Sequence, residues 1–185
     1  MTMAKLFYVI GASGVGKDSL LDYARENIPK NSDLVFSHRY ITRVADAGNE
    51  NHVALSEKEF QRRLDMGCFA MNWDSHDLHY GIGIGINQWL AKGLNVAMNG
   101  SRAYLARASQ KYHELHPVLI RVDQDILRKR LEDRGRETAE DIDKRLERAR
   151  ALDDLQHSKL IVINNDGDLH QAGEKLIDVL IGKIS

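Results

Sequence analysis

The stretch "GASGVGKD", Gly11–Asp18, decides how the rest of the chain is read. Its spacing is that of a phosphate-binding loop, G-x-x-x-x-G-K, which usually continues with a Ser or Thr whose hydroxyl holds magnesium. Here Asp18 takes that place. Before the loop, "KLFYVI" (5–10) is a short apolar run rich in β-formers that stops at a glycine, which predicts a buried strand. After it, Leu20, Leu21 and Ala24 recur at helical spacing between Lys17 and Asn27. Strand, glycine-rich loop and helix together form an anion site, because the loop's N–H groups and the helix N-terminus both present positive charge. Gly11, Ala12, Ser13, Gly14, Val15, Gly16, Lys17, Asp18 and Ser19 are therefore the residues expected to hold the phosphates of a nucleotide. Lys17 supplies a point charge at the β- and γ-phosphates. A carboxylate is a hard oxygen ligand, so Asp18 is the expected magnesium ligand, directly or through water, with Ser19 as a competitor.

Working outward, apolar strands alternate with helices. Strands are expected at 33–43, 94–98, 117–122 and 159–164, with two more within 68–85 around a polar turn. Helices are expected at 56–67, 86–93, 102–113, 123–135, 138–155 and 169–184; Ser56 with Glu59 forms a capping-box pattern, and Gly67, Gly93 and Gly135 mark ends. This alternation implies an α/β fold, a parallel sheet covered on both faces. Residues 33–85 break the rhythm with polar, strand-rich material and read as a small inserted substrate lobe. The alternating glycines of "GIGIG" (81–85) are not a dinucleotide fingerprint and mark a close approach of the backbone to substrate or a neighbouring strand.

The 185 residues suit a single domain that needs no staple. A formal net charge of -1 gives no electrostatic case for nucleic acid or membrane binding. Cys68 is the only cysteine, so no internal disulfide can form, which fits a reducing cytoplasm. No stretch has the character of a signal peptide or a membrane span. The histidines lack metal-ligand spacing apart from His76 and His79 in a predicted turn.

With "GASGVGKDSL", "SHRYITR", "HYG" and "RLEDRGRETAEDIDKRLERA" in this order and spacing, the chain resembles guanylate kinases over nearly its whole length. The resemblance implies a P-loop kinase core, an inserted lobe for the phosphorylated acceptor and an arginine-bearing helical lid at 134–146. The base-reading positions depart from that family. Where it carries "TRxPRxGE", this chain has "TRVADAGNE" (42–50): Arg43 keeps the first arginine and Asp46 replaces the second. The following tyrosine becomes His52, the guanine-reading glutamate becomes Met71, and the hydroxyl residue after Tyr80-Gly81 becomes Ile82. Met and Ile cannot pair with a base edge, and a site with such groups unpaired discriminates against that base. "HRYITR", "ENHVALSEKEF", "YGIGIGINQWL", "NGSRAYL", "RGRE" and "NNDG" instead resemble the ribose 1,5-bisphosphate phosphokinases, a branch acting in phosphonate breakdown that also carries Asp after the loop lysine.

That resemblance implies transfer of the γ-phosphoryl of ATP, with Mg2+, to the anomeric phosphate of ribose 1,5-bisphosphate, giving 5-phosphoribosyl 1-diphosphate. Such an acceptor oxygen is already anionic, so catalysis consists of alignment and charge neutralisation. Arginines and a metal are expected and no carboxylate–histidine pair. Arg39, Arg43, His52, Tyr80 and Arg102 are the expected acceptor contacts. Lys17, Arg134 and Arg145 are the expected catalytic cations, beside Arg136 in the lid, and Asn164 with Asn165 is expected either near adenine or in a turn-forming role alone. Guanylate kinases place an Asp near Asn99, so the chain is read as losing one carboxylate there and gaining one at Asp18. The rival readings are guanylate kinase, a kinase of another phosphorylated small molecule, and a non-catalytic binding module.

Overall fold

The computed structural model describes residues 3–45, 50–135 and 137–184. The elements run β1 (Leu6–Gly11), α1 (Lys17–Asn27), β2 (Leu34–Ser37), β3 (Arg39–Ile41), β4 (Val53–Ala54), α2 (Glu57–Asp65), β5 (Phe69–Ser75), β6 (Leu78–Gly83), α3 (Gly85–Ala91), β7 (Asn95–Asn99), α4 (Leu105–Lys111), β8 (Leu115–Arg121), α5 (Gln124–Arg134), α6 (Ala139–Asp153), β9 (Ile161–Asn164) and α7 (Leu169–Leu180). Five strands form the main sheet in the order β2-β7-β1-β8-β9, and four form a second sheet in the order β4-β3-β6-β5. In the main sheet β2 runs parallel to β7 and β8 parallel to β9. The strand–helix alternation dictates this: a parallel neighbour needs a crossover, and the helices provide it. The residues of β1 from Leu6 to Ile10 are at most 1% exposed, as a strand covered on both faces requires.

The chain packs as two compact units, one of Met1–Tyr8 with Pro29–Leu115 and one of Val9–Ile28 with His116–Ser185. The first holds β2, β7 and the whole second sheet. The stretch 33–43, expected as one strand, divides here. Leu34–Ser37 pairs with β7, whereas Arg39–Ile41 pairs antiparallel with β6, Arg39 opposite Ile82 and Ile41 opposite Tyr80. Residues 34–37 therefore belong to the parallel sheet and leave the lobe expected from residue 33. β5 and β6 form a hairpin closed by His76 and Asp77, both at positive φ (53° and 59°), the conformation of a two-residue turn that follows strand twist. The close approach expected at "GIGIG" is to neighbouring strands: a β-carbon on Gly81 would stand 2.6 Å from Cδ1 of Phe69. Helix α2 starts at Ser56, whose hydroxyl accepts from the Glu59 amide at 3.2 Å. Helix α4 starts three residues later than the apolar pattern suggests, because Ser101–Tyr104 closes a turn, with Tyr104 N–H to the Ser101 carbonyl at 3.2 Å.

The second unit holds the glycine-rich loop, α1, β8, β9 and α5–α7. Helix α6 is dense in charged residues, and Ile142, Leu146, Ala149 and Leu152 form one buried stripe at helical spacing. Thr138 and Asp141 close its first turn with a reciprocal capping box. Arg128 of α5 donates to Asp143 of α6 at 2.6 Å, tying the two helices together. No helix among the described residues is long and apolar enough to cross a membrane. Asp46 and Arg136, both singled out from the sequence, lie outside the described residues.

Candidate active site

In the second unit the loop leaves β1 at Gly11 and enters α1 at Lys17. Gly16 caps the helix in the left-handed region, φ 85°, and Gly14 lies at φ 96°. Both positions favour glycine for that reason. The loop is held from two sides. Leu131 and Leu127 of α5 pack where a side chain on Gly14 would stand, 2.9 and 3.2 Å from its β-carbon position. Asn165, after β9, donates from Nδ2 to the carbonyl of Val15 at 2.8 Å. Asn165 is 4% exposed, whereas Asn164 is exposed and only aligned with Arg121 across the sheet. Of the two asparagines expected beside a base, Asn165 is the one that touches the loop.

Lys17 is largely covered, its side chain 14% exposed, and its ammonium lies 3.4 Å from Oδ1 of Asp18. Ser19 is exposed. Arg145, on α6, donates from Nη1 to the Ser13 hydroxyl and pairs through Nη2 with Glu137 at 2.9 Å. A lid arginine expected from the sequence is thus brought to the loop. Arg134 closes α5 and is exposed, with no ion pair among the described residues. A glycine cradle with no room for side chains, a covered lysine and an arginine at the loop hydroxyl fit the phosphates of a nucleotide. No cluster of three or more His, Cys, Asp or Glu side chains suited to a metal occurs among the described residues. The Asp18 carboxylate, with the Ser19 hydroxyl next to it, would suit magnesium, an ion bound through one or two carboxylates with the rest of its shell from phosphates and water.

The first unit gathers a second set of cations. Arg39, at the start of β3, grips Glu50 through Nε and Nη2, a two-pronged ion pair. Arg43 reaches Oε2 of Glu50 at 3.4 Å, and Asn99, at the end of β7, donates to Oε1 at 3.3 Å. The Arg43 Nε is buried and has no acceptor among the described residues, as a donor awaiting an anion would be. Beneath Arg39 lies the Tyr80 ring, 5.0 Å from the guanidinium carbon, and Tyr80 stacks on Trp73 with ring centres 5.6 Å apart. His52 lies with one ring nitrogen 2.9 Å from the Glu50 carbonyl and the other 3.2 Å from the Arg43 carbonyl. It braces the backbone that carries Arg43 and Glu50. Arg102 is exposed in the turn before α4, with no ion pair among the described residues. That turn is anchored by Tyr8, whose hydroxyl accepts from the Ser101 amide at 2.9 Å and donates to its carbonyl at 3.0 Å. Burial pushes the Tyr8 hydroxyl far above the usual phenol range. Gly100 makes room for its ring.

Met71 and Ile82 are both 0% exposed and stand opposite each other across the β5–β6 pair. Where guanylate kinases are expected to show polar atoms to a base, this chain has closed core. Comparison with known proteins agrees. A ribose 1,5-bisphosphate phosphokinase PhnN of Psychromonas ingrahamii is 53% identical over 176 residues, 95% of this chain and 89% of the relative. The family of that enzyme includes this chain. A second ribose 1,5-bisphosphate phosphokinase, from Thiobacillus denitrificans, is 52% identical over 97% of this chain and 94% of its own length. The AAA domain family matches residues 8–153. Among solved structures, a guanylate kinase from Anaplasma phagocytophilum superposes with a TM-score of 0.67 over 98% of this chain and 87% of its own, at 14% identity, which shows a shared fold.

The residues missed from sequence are Glu50, and Asn165 in its role at the loop. Glu50 sits among the quoted family motifs, and its position two residues before His52, amid the cluster's arginines, was the available signal. Asn165 signalled itself only as the second half of "NNDG".

Proposed function

We propose that the chain moves the γ-phosphoryl group of ATP onto the 1-phosphate of ribose 1,5-bisphosphate, giving 5-phosphoribosyl 1-diphosphate and ADP. The observation that carries the choice of acceptor is the buried pair Met71 and Ile82, which removes base recognition while Arg39 and Arg43 keep phosphate recognition. An oxygen of the 1-phosphate forms a bond to the γ-phosphorus as the bond from that phosphorus to the β–γ bridging oxygen breaks, and ADP leaves with the electron pair. The nucleophile is already anionic, so no strong base is required.

The chain's own residues align the groups and neutralise charge. Loop N–H groups from Ala12 to Lys17 hold the donor phosphates, and Lys17 offsets charge at the β- and γ-oxygens. Arg145, brought to Ser13, and Arg134 stabilise the charge that spreads over the equatorial oxygens in transfer. Arg39, Arg43 and Arg102 bind the acceptor's phosphates, with Tyr80 beneath Arg39. Bound magnesium, held by Asp18 or Ser19 directly or through water, would neutralise the donor phosphates.

The test is phosphorus NMR of pure protein with magnesium and ATP, with GMP and ribose 1,5-bisphosphate offered separately. A sugar diphosphate appearing in step with ADP, and no turnover of GMP, is the expected result. Turnover of GMP overturns the acceptor assignment.

A further inference from the structure

We infer that Glu50 is a positioning residue of the acceptor site, setting the orientation of Arg39 toward phosphate; this rests on the acceptor reading above. The carboxylate is 10% exposed and accepts from four donors: Nε and Nη2 of Arg39, Nη2 of Arg43 and Nδ2 of Asn99. A carboxylate offers about four lone-pair sites. Glu50 is therefore saturated by the chain itself and has no lone pair left for a sugar hydroxyl. Its action runs through the arginines.

Arg39 is fixed in two directions. The Glu50 fork defines the guanidinium's edge, and the Tyr80 ring, 5.0 Å from the guanidinium carbon, lies against its face. A guanidinium carries five N–H bonds. Glu50 takes two of them, so three remain for another anion. Arg43 differs: it touches the same carboxylate through Nη2 alone, at 3.4 Å, and its buried Nε finds no acceptor among the described residues. One carboxylate thus holds one arginine rigidly and steers a second, and the cluster keeps a net positive charge. Holding a guanidinium in its binding orientation removes the loss of side-chain freedom from the binding step.

The opposite reading treats Glu50 as a stand-in for substrate phosphate that must be displaced. The two differ in sign. Removing the negative charge helps binding if Glu50 competes and harms it if Glu50 positions. The experiment measures ribose 1,5-bisphosphate binding by calorimetry without ATP, for wild type, Glu50→Gln, Arg39→Lys and the double variant, with KM for both substrates alongside. Glu50→Gln keeps the side chain's size and one acceptor oxygen.

The expected result is a Kd and acceptor KM raised on the order of tenfold for Glu50→Gln, with the KM for ATP unchanged. Arg39→Lys weakens binding by at least as much, because lysine cannot form the fork. The double variant loses clearly less than the sum of the two single losses, since contacting residues that act as a unit are not additive. Wild-type or tighter binding by Glu50→Gln overturns the inference, as do additive losses. If Glu50→Gln does not fold, as judged by near-UV circular dichroism, Arg39→Lys decides: unchanged binding overturns the inference. If wild type takes up no ribose 1,5-bisphosphate, the acceptor assignment falls instead. Glu50 is then judged by the same titrations with inorganic phosphate, where equal binding by wild type and Glu50→Gln overturns it.

Discussion

The side-chain amide of Asn165 donates to the main-chain carbonyl of Val15 at 2.8 Å, and the same nitrogen stands 2.6 Å from where a β-carbon on Gly16 would lie. The strand β9 and the glycine-rich loop, 150 residues apart in the chain, are thereby fixed against each other within one unit. The contact explains both why Gly16 has no side chain and why an amide follows β9.

Replacing Asn165 with Ala leaves the Val15 carbonyl without its donor. An unsatisfied buried group of this kind costs roughly 1–3 kcal/mol. Part of that cost falls on stability and part on the loop's ability to hold phosphate. The expected outcome is a KM for ATP raised on the order of tenfold with the acceptor KM unchanged, and a melting temperature lowered by roughly 2–4 °C per kcal/mol lost. Initial rates at varied ATP and a thermal melt check it. A KM for ATP equal to wild type would mean that the loop holds its shape without the strut.

Asp18 lies in the first turn of α1 with its carboxylate 3.4 Å from the Lys17 ammonium. If that carboxylate serves magnesium, Asp18→Asn keeps the shape and removes the charge that attracts the ion. Half-maximal activity should then need several-fold more magnesium, while the rate at saturating magnesium falls less. A magnesium titration of initial rates measures this. An unchanged requirement removes the metal role and leaves Asp18 as a favourable charge at a helix N-terminus.

How far the sequence reached can be argued from these residues. Lys17, Arg145 and the loop glycines were legible because their chemistry depends on spacing within one short segment. The helix starts at Ser56, Asp123 and Thr138 were legible for the same reason: each cap bonds within three residues. Asn165 was not, since its partner Val15 lies 150 residues away, and neither was Glu50, whose arginines stand 11 and 7 residues before it, outside any helix or strand spacing, and whose third partner, Asn99, is 49 residues on. The split of 33–43 into two sheets was hidden because only His38 separates β2 from β3, with no turn residue between them, and the division shows only in which distant strand each meets. The meaning of Met71 and Ile82 was half legible. Their apolar nature argued against guanine, but only the structure shows that both are buried and stand opposite each other.

That register makes a prediction about restoring guanine recognition. Met71→Glu places a carboxylate in a site with no exposure, opposite Ile82. Burying an unpartnered ionisable group is among the few changes that cost more than about 3 kcal/mol. The melting temperature at neutral pH should fall by roughly 6–12 °C on the scale for a chain of this size. Burial raises the new carboxyl's pKa, so the loss should shrink as the pH falls and the group becomes neutral. No GMP kinase activity should appear. Melts from pH 8 to pH 5 with a GMP assay check all three, and a variant as stable as wild type would show that this part of the lobe is open to a polar side chain.

The first turn of α6 carries a second pH-dependent contact of opposite sign. Asp141 accepts from the Thr138 hydroxyl at 2.8 Å and from its amide at 3.4 Å. Those hydrogen bonds, with Lys144 and Arg145 nearby, hold its carboxyl below the ordinary value of 3.8. A folded-state pKa depressed below the unfolded one means that the unfolded chain binds protons more readily as the medium turns acid. The stabilisation by Asp141 is therefore fully present above about pH 4 and is lost as the pH falls through the lower folded value. Asp141→Ala removes it at every pH. The melting temperature of the variant should lie below wild type by a constant margin from pH 8 to pH 5, and the margin should close as the pH is taken below 4. Arg145 stands one turn further along the same helix and donates to Ser13 of the loop, so a frayed start to α6 should also lower kcat while leaving the acceptor KM in place. A margin that stays constant into acid would show that Asp141 acts through packing or helix propensity, not through its charge.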